Sequence, residues 1–280
     1  PEVNKDVKTT LEVTKYDEFD AVEWTVWYEN VSDKNSGTLS EIKDIDAVLT
    51  LPEYVHEFMG NRYTEEAPKV IWTQGLVEGE AYSYDDARSA EEFSYHTKYF
   101  FNKGVTYSFE NGEGRCSDEV MPFFEVACKN AGYIVALGWT GSWIATLSKE
   151  DEGIRFKAGL HYAEYYLKPG EKIRTALFVY APYTVRDENY ATNFWRSWFV
   201  NCNLPANDAS GAHVEPFSTC CVANDTGLPN SDGSISERYY TWKPSLEKMI
   251  AENVKVDVRW FDAGWYPAPD GSSPVSDWWG

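Results

Sequence analysis

The sequence predicts a mixed fold, in which a large antiparallel β-sandwich is followed by a linking helix and the start of a (β/α)8 barrel. Three observations predict it. Short runs of alternating apolar and polar residues fill the chain to about residue 185. The apolar period then lengthens to about 3.6 over Asp187–Cys202. A strand, helix, strand pattern follows the next break. The expected parts are residues 1–185 for the sandwich, 186–213 for the helix and a hinge, and 214–280 for the beginning of the barrel.

In the first part, Ala21-Val-Glu-Trp-Thr-Val-Trp-Tyr-Glu29 sets Val22, Trp24, Val26 and Tyr28 on one face and Glu23, Thr25, Trp27 and Glu29 on the other. That is the signature of a half-buried strand. Similar runs lie at Lys8–Lys15, Ile45–Leu51, Lys98–Phe101, Tyr133–Leu137, Ile154–Leu167 and Lys172–Tyr180. Glu-Asn-Gly-Glu-Gly at 110–114 and Lys-Pro-Gly-Glu at 168–171 read as turns between them. Many short strands with turn signals at the breaks fit a sandwich.

In the second part Tyr190, Phe194, Trp195, Trp198 and Phe199 fall on one helical face. Asp187 is placed to cap the start, and Leu204-Pro205 stops the helix. Asn207-Asp-Ala-Ser-Gly-Ala-His213 looks like a hinge. In the third part an apolar run at Phe217–Ala223 precedes a long polar loop, Asn224–Ser236. A helix with Pro244 in its first turn and Leu246, Met249 and Ile250 on one face comes next. Glu252-Asn253 ends it, and Val254–Phe261 returns as a mostly apolar strand. Strand, helix, strand is a βαβ unit, which requires parallel strands and a right-handed crossover. Two parallel strands bury too little to stand alone, so the chain is read as continuing into further βα units.

Composition narrows the function classes. A length of 280 residues suits two domains, and 14 Phe, 19 Tyr and 12 Trp supply ample core. A formal net charge of −20, spread along the chain, repels phosphate backbones and anionic lipid surfaces. Nucleic acid and membrane are therefore not expected as partners, and no apolar run is long enough for a spanning helix. Cys116, Cys128, Cys202, Cys220 and Cys221 show neither paired spacing nor a disulfide framework. His56, His96, His161 and His213 form no ligand cluster with carboxylates, so no metal is expected. No phosphate-binding glycine motif or serine elbow occurs, so no cofactor is expected. The chain starts at Pro1, without Met or a signal peptide, and is read as processed or cut. The compartment stays open, with secreted or periplasmic placement favoured over cytoplasmic, and a homo-oligomer is left open too.

The densest functional signal is Trp260-Phe-Asp-Ala-Gly-Trp-Tyr266, at the C-terminal end of the second strand of the βαβ unit. Barrel active sites lie at that end of the strands. Asp262 can accept two sugar hydroxyls, Gly264 lets the backbone turn closely, and Trp265, with Tyr266 beside it, can stack on a sugar face. A structural reading, in which Asp262-Ala-Gly-Trp265 is a turn with a core-filling Trp, stands beside this one. Gly138-Trp-Thr-Gly-Ser-Trp143 likewise offers either exposed stacking rings or core.

This motif resembles the Asp-Asp-Gly-Trp of the second barrel strand in glycoside hydrolase family 36, the α-galactosidase family, and more closely the family variants reading Asp-Ala-Gly-Trp-Tyr. Upstream stretches agree in order: Tyr28-Glu29-Asn30, Gly114-Arg-Cys-Ser117 with Met121-Pro-Phe-Phe124, Gly138–Trp143, Leu167-Lys-Pro-Gly-Glu171 with Ile173-Arg174, and Asn193–Phe199. The resemblance implies a retaining hydrolase that removes terminal α-linked galactosyl-type sugars from a carbohydrate substrate. It gives Asp262 hydroxyl contacts in the subsite of the cleaved sugar and puts Trp265 in the pocket wall. Two departures bear on the sugar. The family's second Asp is Ala263, which removes one acceptor, and Thr219-Cys220-Cys221 stands where many members carry a Trp. The first loosens a strict preference for galactose, and the second, by enlarging the pocket, points toward amino- or acetamido-substituted galactose.

Family members use two Asp residues, nucleophile and acid/base, about 5–5.5 Å apart. The resemblance puts these on the fourth and sixth barrel strands, after Gly280. The acid pairs Glu65-Glu66, Asp85-Asp86 and Glu91-Glu92 read as solvated loop surface, while Asp270 and Asp277 are better placed, on the rim of a cleft. The competing class is a non-catalytic carbohydrate-binding or interaction module, which has no use for a βαβ unit.

Overall fold

The computed structural model describes residues 5–53, 67–75, 95–111, 114–185, 189–214, 217–222 and 242–261. In chain order the first strands are β1 (Val7–Tyr16), β2 (Ala21–Asn30), β3 (Leu39–Ser40), β4 (Ile45–Thr50), β5 (Lys69–Gln74), β6 (Tyr95–Tyr99) and β7 (Thr106–Glu110). Then come β8 (Val120–Cys128), β9 (Ala131–Gly138), β10 (Trp143–Lys149), β11 (Gly153–Leu160), β12 (Glu164–Tyr165) and β13 (Lys172–Tyr183). Helix α1 (Tyr190–Trp198) runs into a π turn, Phe199–Asn203. Strand β14 (Thr219–Val222), helix α2 (Trp242–Ala251) and strand β15 (Val258–Phe261) complete the series. The chain divides into two compact units, Pro1–Asn203 and Leu204–Gly280.

The first unit is a sandwich. A seven-stranded sheet of order β1-β2-β13-β9-β8-β5-β6 faces a four-stranded sheet of order β4-β11-β10-β7, and every pairing in both is antiparallel. The small sheet keeps the alternation expected of a half-buried surface. In β11, Ile154, Phe156 and Ala158 are buried while Arg155 and Lys157 are exposed. In β10, Trp143, Ala145 and Leu147 are buried.

The large sheet loses that alternation in its middle strands because both of its faces are covered. Trp24 of β2 packs toward the inter-sheet core, yet Ala21 and Thr25 on the opposite face are buried as well. There Ala21, Ile134, Ala136, Val179 and Ala181 meet Ala191 and Trp198 of α1. The helix therefore appears where its aromatic face was expected, but nine residues long and with Asn189 before its first turn. The predicted cap, Asp187, lies outside the described residues.

The Lys168–Glu171 segment is a tight turn, as its Pro and Gly predict. The Glu171 amide donates to the Lys168 carbonyl at 3.0 Å, and Gly170 has φ +73°, open to glycine without strain. Ile154–Leu167, read from sequence as one run, is two strands, β11 and β12, and Tyr162 between them takes φ +53°.

A bulge in β13 between Arg174 and Leu177 turns Thr175 inward, where its hydroxyl donates to Asp44 Oδ1. Asp44 is buried, its Oδ2 has no partner among the described residues, and the Tyr28 and Tyr165 rings stand close enough to feel its charge. Burial pushes this carboxyl from 3.8 up to about 6, against the opposing pull of the Thr175 hydroxyl and of Lys43. The folded chain thus holds the proton more tightly than the unfolded one. Its contribution to stability is full below about pH 4 and is lost as pH rises through about 6. The amide of an Asp44→Asn variant is neutral throughout. Its stability relative to the parent, from urea unfolding at each pH, is expected to rise by about 2 kcal/mol between pH 4 and pH 7. A difference independent of pH would show that Asp44 is not held protonated.

Candidate functional site

The βαβ reading of the third segment is observed: β14 and β15 are parallel, with α2 between them in sequence. The register pairs Thr219 with Val258, Cys220 with Arg259, Cys221 with Trp260 and Val222 with Phe261, so the two strands end level. Helix α2 stops at the residues predicted to stop it. Asn253 adopts φ +56°, its amide donates to Ile250 O at 3.1 Å, and the Val254 amide donates to Met249 O at 2.8 Å. That pair of bonds with a left-handed residue is the Schellman C-cap, in which Asn is the usual substitute for Gly.

A clip that the sequence did not advertise joins the N-terminal ends of the strands. Asp257 Oδ2 accepts from the Ser218 amide at 2.8 Å and from its hydroxyl at 3.1 Å, and the Asp257 and Val258 amides both donate to the Ser218 carbonyl. These bonds, led by the one from the Ser218 amide, hold the Asp257 carboxyl below its ordinary range. An Asp directly before an apolar strand was the available signal. The segment read as a hinge is a closed turn: Asn207 and His213 bridge, Asp208 Oδ1 accepts from the Ser210 and Ala212 amides, and Gly211 has φ +86°.

Asp262, Trp265 and Tyr266 follow β15 directly in sequence and lie outside the described residues, as do Asp270, Asp277 and the acid pairs. The backbone to which they attach is the level C-terminal edge of a parallel pair, where Val222 and Phe261 are partners. Trp143, offered by its sequence context as a stacking ring or as core, is core. It is fully buried, with its Nε1 donating to the Cys116 carbonyl at 2.8 Å. Trp139 of the same turn is half-buried. Among the described residues no three His, Cys, Asp or Glu side chains group as a metal site. Besides Asp44, a half-buried carboxyl escaped the sequence reading: Glu125 of β8 accepts from the Tyr183 hydroxyl, and burial pushes it upward despite that bond.

No protein-family model and no curated protein sequence matches the chain. Solved structures do. The GH36 α-galactosidase AgaA from Geobacillus stearothermophilus superposes with a TM-score of 0.61 at 15% identity, over 96% of this chain and 32% of that one. The α-galactosidase from Lactobacillus brevis gives 0.56 at 14% identity, over 94% and 31%. A substituted AgaA in complex with stachyose gives 0.55 at 14% identity, over 93% and 32%. The chain has the fold of the N-terminal domain of GH36 α-galactosidases. It spans about a third of the length of these enzymes.

Against that GH36 fold, the stretches that carried the resemblance prove to be bonded to one another. Asn30 donates to Leu167 O at 2.8 Å and accepts Gly170 N on its carbonyl, joining Tyr28-Glu29-Asn30 to the Leu167–Glu171 turn. Asn111 donates to Arg115 O and accepts the Trp143 amide, both at 2.7 Å, joining Gly114–Ser117 to Gly138–Trp143. Phe123 stacks on Trp195 at 5.4 Å, joining Met121–Phe124 to the α1 helix. These contacts tie the segments of the first unit together.

The clip sets the register of the strand pair, and an Asp257→Ala variant is expected to speed hydrogen exchange of the Ser218 amide several-fold while the β10 and β11 amides stay protected. Unchanged exchange at Ser218 would mean that the backbone bonds suffice.

Proposed function

We propose that the chain forms the sandwich and the first βα unit of a retaining α-glycoside hydrolase that removes terminal α-galactosyl-type sugars from oligosaccharides or glycoconjugates. The supporting observation is the parallel β14–α2–β15 unit, with its strands ending level, which follows a GH36-like sandwich in the sequence. A binding module built on a sandwich has no need of such a unit, whereas a barrel begins with one. On this reading residues 214–280 open the catalytic barrel, and Asp262 accepts hydroxyls of the sugar to be cleaved, with Trp265 and Tyr266 forming the pocket wall. The stachyose complex of the AgaA enzyme supports an α-galactosyl oligosaccharide as the substrate class.

Ala263 and the small residues Thr219-Cys220-Cys221 direct the choice within that class. With one acceptor fewer and smaller residues on the neighbouring strand, the pocket has room for a nitrogen substituent on galactose. The nucleophile and acid/base are assigned to strands beyond this unit, so the 280-residue chain alone is expected to release no aryl alcohol from an aryl α-galactoside.

Assays of the complete gene product on aryl α-galactoside, α-N-acetylgalactosaminide and α-galactosaminide test the reading. An Asp262→Asn variant is expected to lose about a hundredfold or more in kcat/KM on the best of the three, because its lost hydroxyl bonds tighten in the transition state. Turnover of none of the three, or an Asp262→Asn variant as active as the parent, sinks the assignment.

A further inference from the structure

Strand β1 is the outermost strand of the large sheet, and among the described residues it pairs with β2 alone. Its ten residues run in one unbroken register, from Val7 opposite Asn30 to Tyr16 opposite Ala21. The Val31 amide donates to the Asp6 carbonyl at 2.9 Å, which fixes the parity of that ladder. Asp6, Lys8, Thr10, Glu12 and Thr14 therefore bond to β2, and the N–H and C=O groups of Val7, Thr9, Leu11, Val13 and Lys15 point away from it. Every residue from Lys8 to Lys15 is exposed, Leu11 at 59% and Val13 at 54%. Sheet edges are ordinarily blunted by Pro, by a bulge, by shortness or by charge. This edge has no Pro or bulge and is long, so its guard is the charge of Lys8, Glu12 and Lys15.

We propose that β1 is the pairing edge for a second copy of this chain, which joins the two large sheets antiparallel about a two-fold axis at Thr10. The outward groups sit on odd residues, so odd residues must face odd residues. Centred on Thr10, that pairing sets Lys8 opposite Glu12 of the second copy, twice, and Val7 opposite Val13, twice. The charge that guards the edge against other strands thus becomes complementary for its own copy. Neighbouring registers lose this. Centred on Leu11, Lys8 faces Thr14 and Val7 faces Lys15; centred on Thr9, Asp6 faces Glu12. The chain's net charge of −20 opposes self-association, but Lys5–Lys15 carries three Lys against Asp6 and Glu12, so repulsion is relieved at this edge. A two-fold pairing also closes the assembly, because it leaves no β1 edge over. The inference rests on the sandwich alone, so it and the glycosidase reading can fail separately.

Sedimentation of the 280-residue chain is expected to show a concentration-dependent dimer. A Lys8→Glu variant replaces two ion pairs by two like-charge pairs and should weaken the dimer about tenfold. Adding Glu12→Lys restores opposite charges in the same register and should restore the dimer. Both positions are exposed, so circular dichroism should not change. In a Thr10→Cys variant the two thiols face each other across the axis, with Cα atoms about 4.5 Å apart, within disulfide reach. Oxidation is expected to give a covalent dimer well above the parent's background. Thr14→Cys is equally exposed but lies about 27 Å from its own copy, eight residues along the strand, and should not crosslink. A monomer at every concentration, a dimer indifferent to Lys8→Glu, a double variant that stays monomeric, or crosslinking at Thr14→Cys as fast as at Thr10→Cys overturns the proposal.

Discussion

Aromatic rings bridge the gap between the two sheets of the sandwich, and the arrangement of the first unit depends on their contact. Phe124 of the large sheet meets Phe109, Trp143 and Phe156 of the small one at 5.1, 5.9 and 5.9 Å. Phe156 returns the contact to Phe178 at 5.8 Å, and Phe178 meets Trp24 at 4.7 Å. The three Phe–Phe and Phe–Trp contacts made by Phe124 are edge-on or tilted, the geometry that sets a ring's positive edge against a negative face and adds about 0.5–1.5 kcal/mol beyond area burial. Removing a buried Phe ring from such a core costs about 3–5 kcal/mol. Strands far apart in sequence must also meet: Trp24 and Phe178 bring β2 against β13, and β11 lies beside β4. The core thus depends in large part on non-local contacts, the condition that makes folding of such sandwiches slow.

A seven-stranded sheet packed on a four-stranded one leaves part of its outer face to be covered. Helix α1 does this, and the consequence is visible in β9 and β13, where runs of consecutive residues are buried. The covering is incomplete, since the ring stack of Phe123 on Trp195 holds the helix off the sheet beside a half-open apolar groove. The same stack joins two of the segments through which the resemblance to the α-galactosidases was read. Segments that look like functional motifs in the sequence are here paired fasteners, each Asn or ring reaching from one segment to its partner.

Legibility in the sequence followed the number of faces that a strand exposes. Strand β11, with one wet face, alternates Ile154, Arg155, Phe156 and Lys157 and was readable. Strand β8 was not, because Pro122 argues against a strand. Its tolerance comes from the register shift of the neighbouring β5 pairing between Trp72 and Gln74, next to which no ladder bond from residue 122 is needed. Strand β10 was hidden because Gly138–Trp143 reads as a turn, and Trp143 is in fact the first residue of the strand after it. Buried Asp44 and the Ser218–Asp257 clip were invisible for another reason: each depends on a partner more than 35 residues away, at separations of 131 and 39. Of the candidate site, the strands leading to it were legible, down to the Asn253 cap, because βαβ units are written in local patterns. Asp262, Trp265 and Tyr266 themselves lie outside the described residues.

On the proposed reading, structural and chemical roles in the second unit fall at opposite ends of the same strands. The Ser218–Asp257 clip fixes the register where the strands begin, and that register makes Val222 and Phe261 partners where they end. A one-residue slip would exchange the faces of every side chain on β15 and move Asp262 out of step with the end of β14. Stability placed at the N-terminal edge leaves the C-terminal edge free to carry residues chosen for a ligand, the division of labour on which barrel enzymes rest. On the proposed reading the choice of sugar rests on few positions here, Asp262, Ala263 and the small residues Thr219–Cys221, all of them outside the aromatic core of the sandwich.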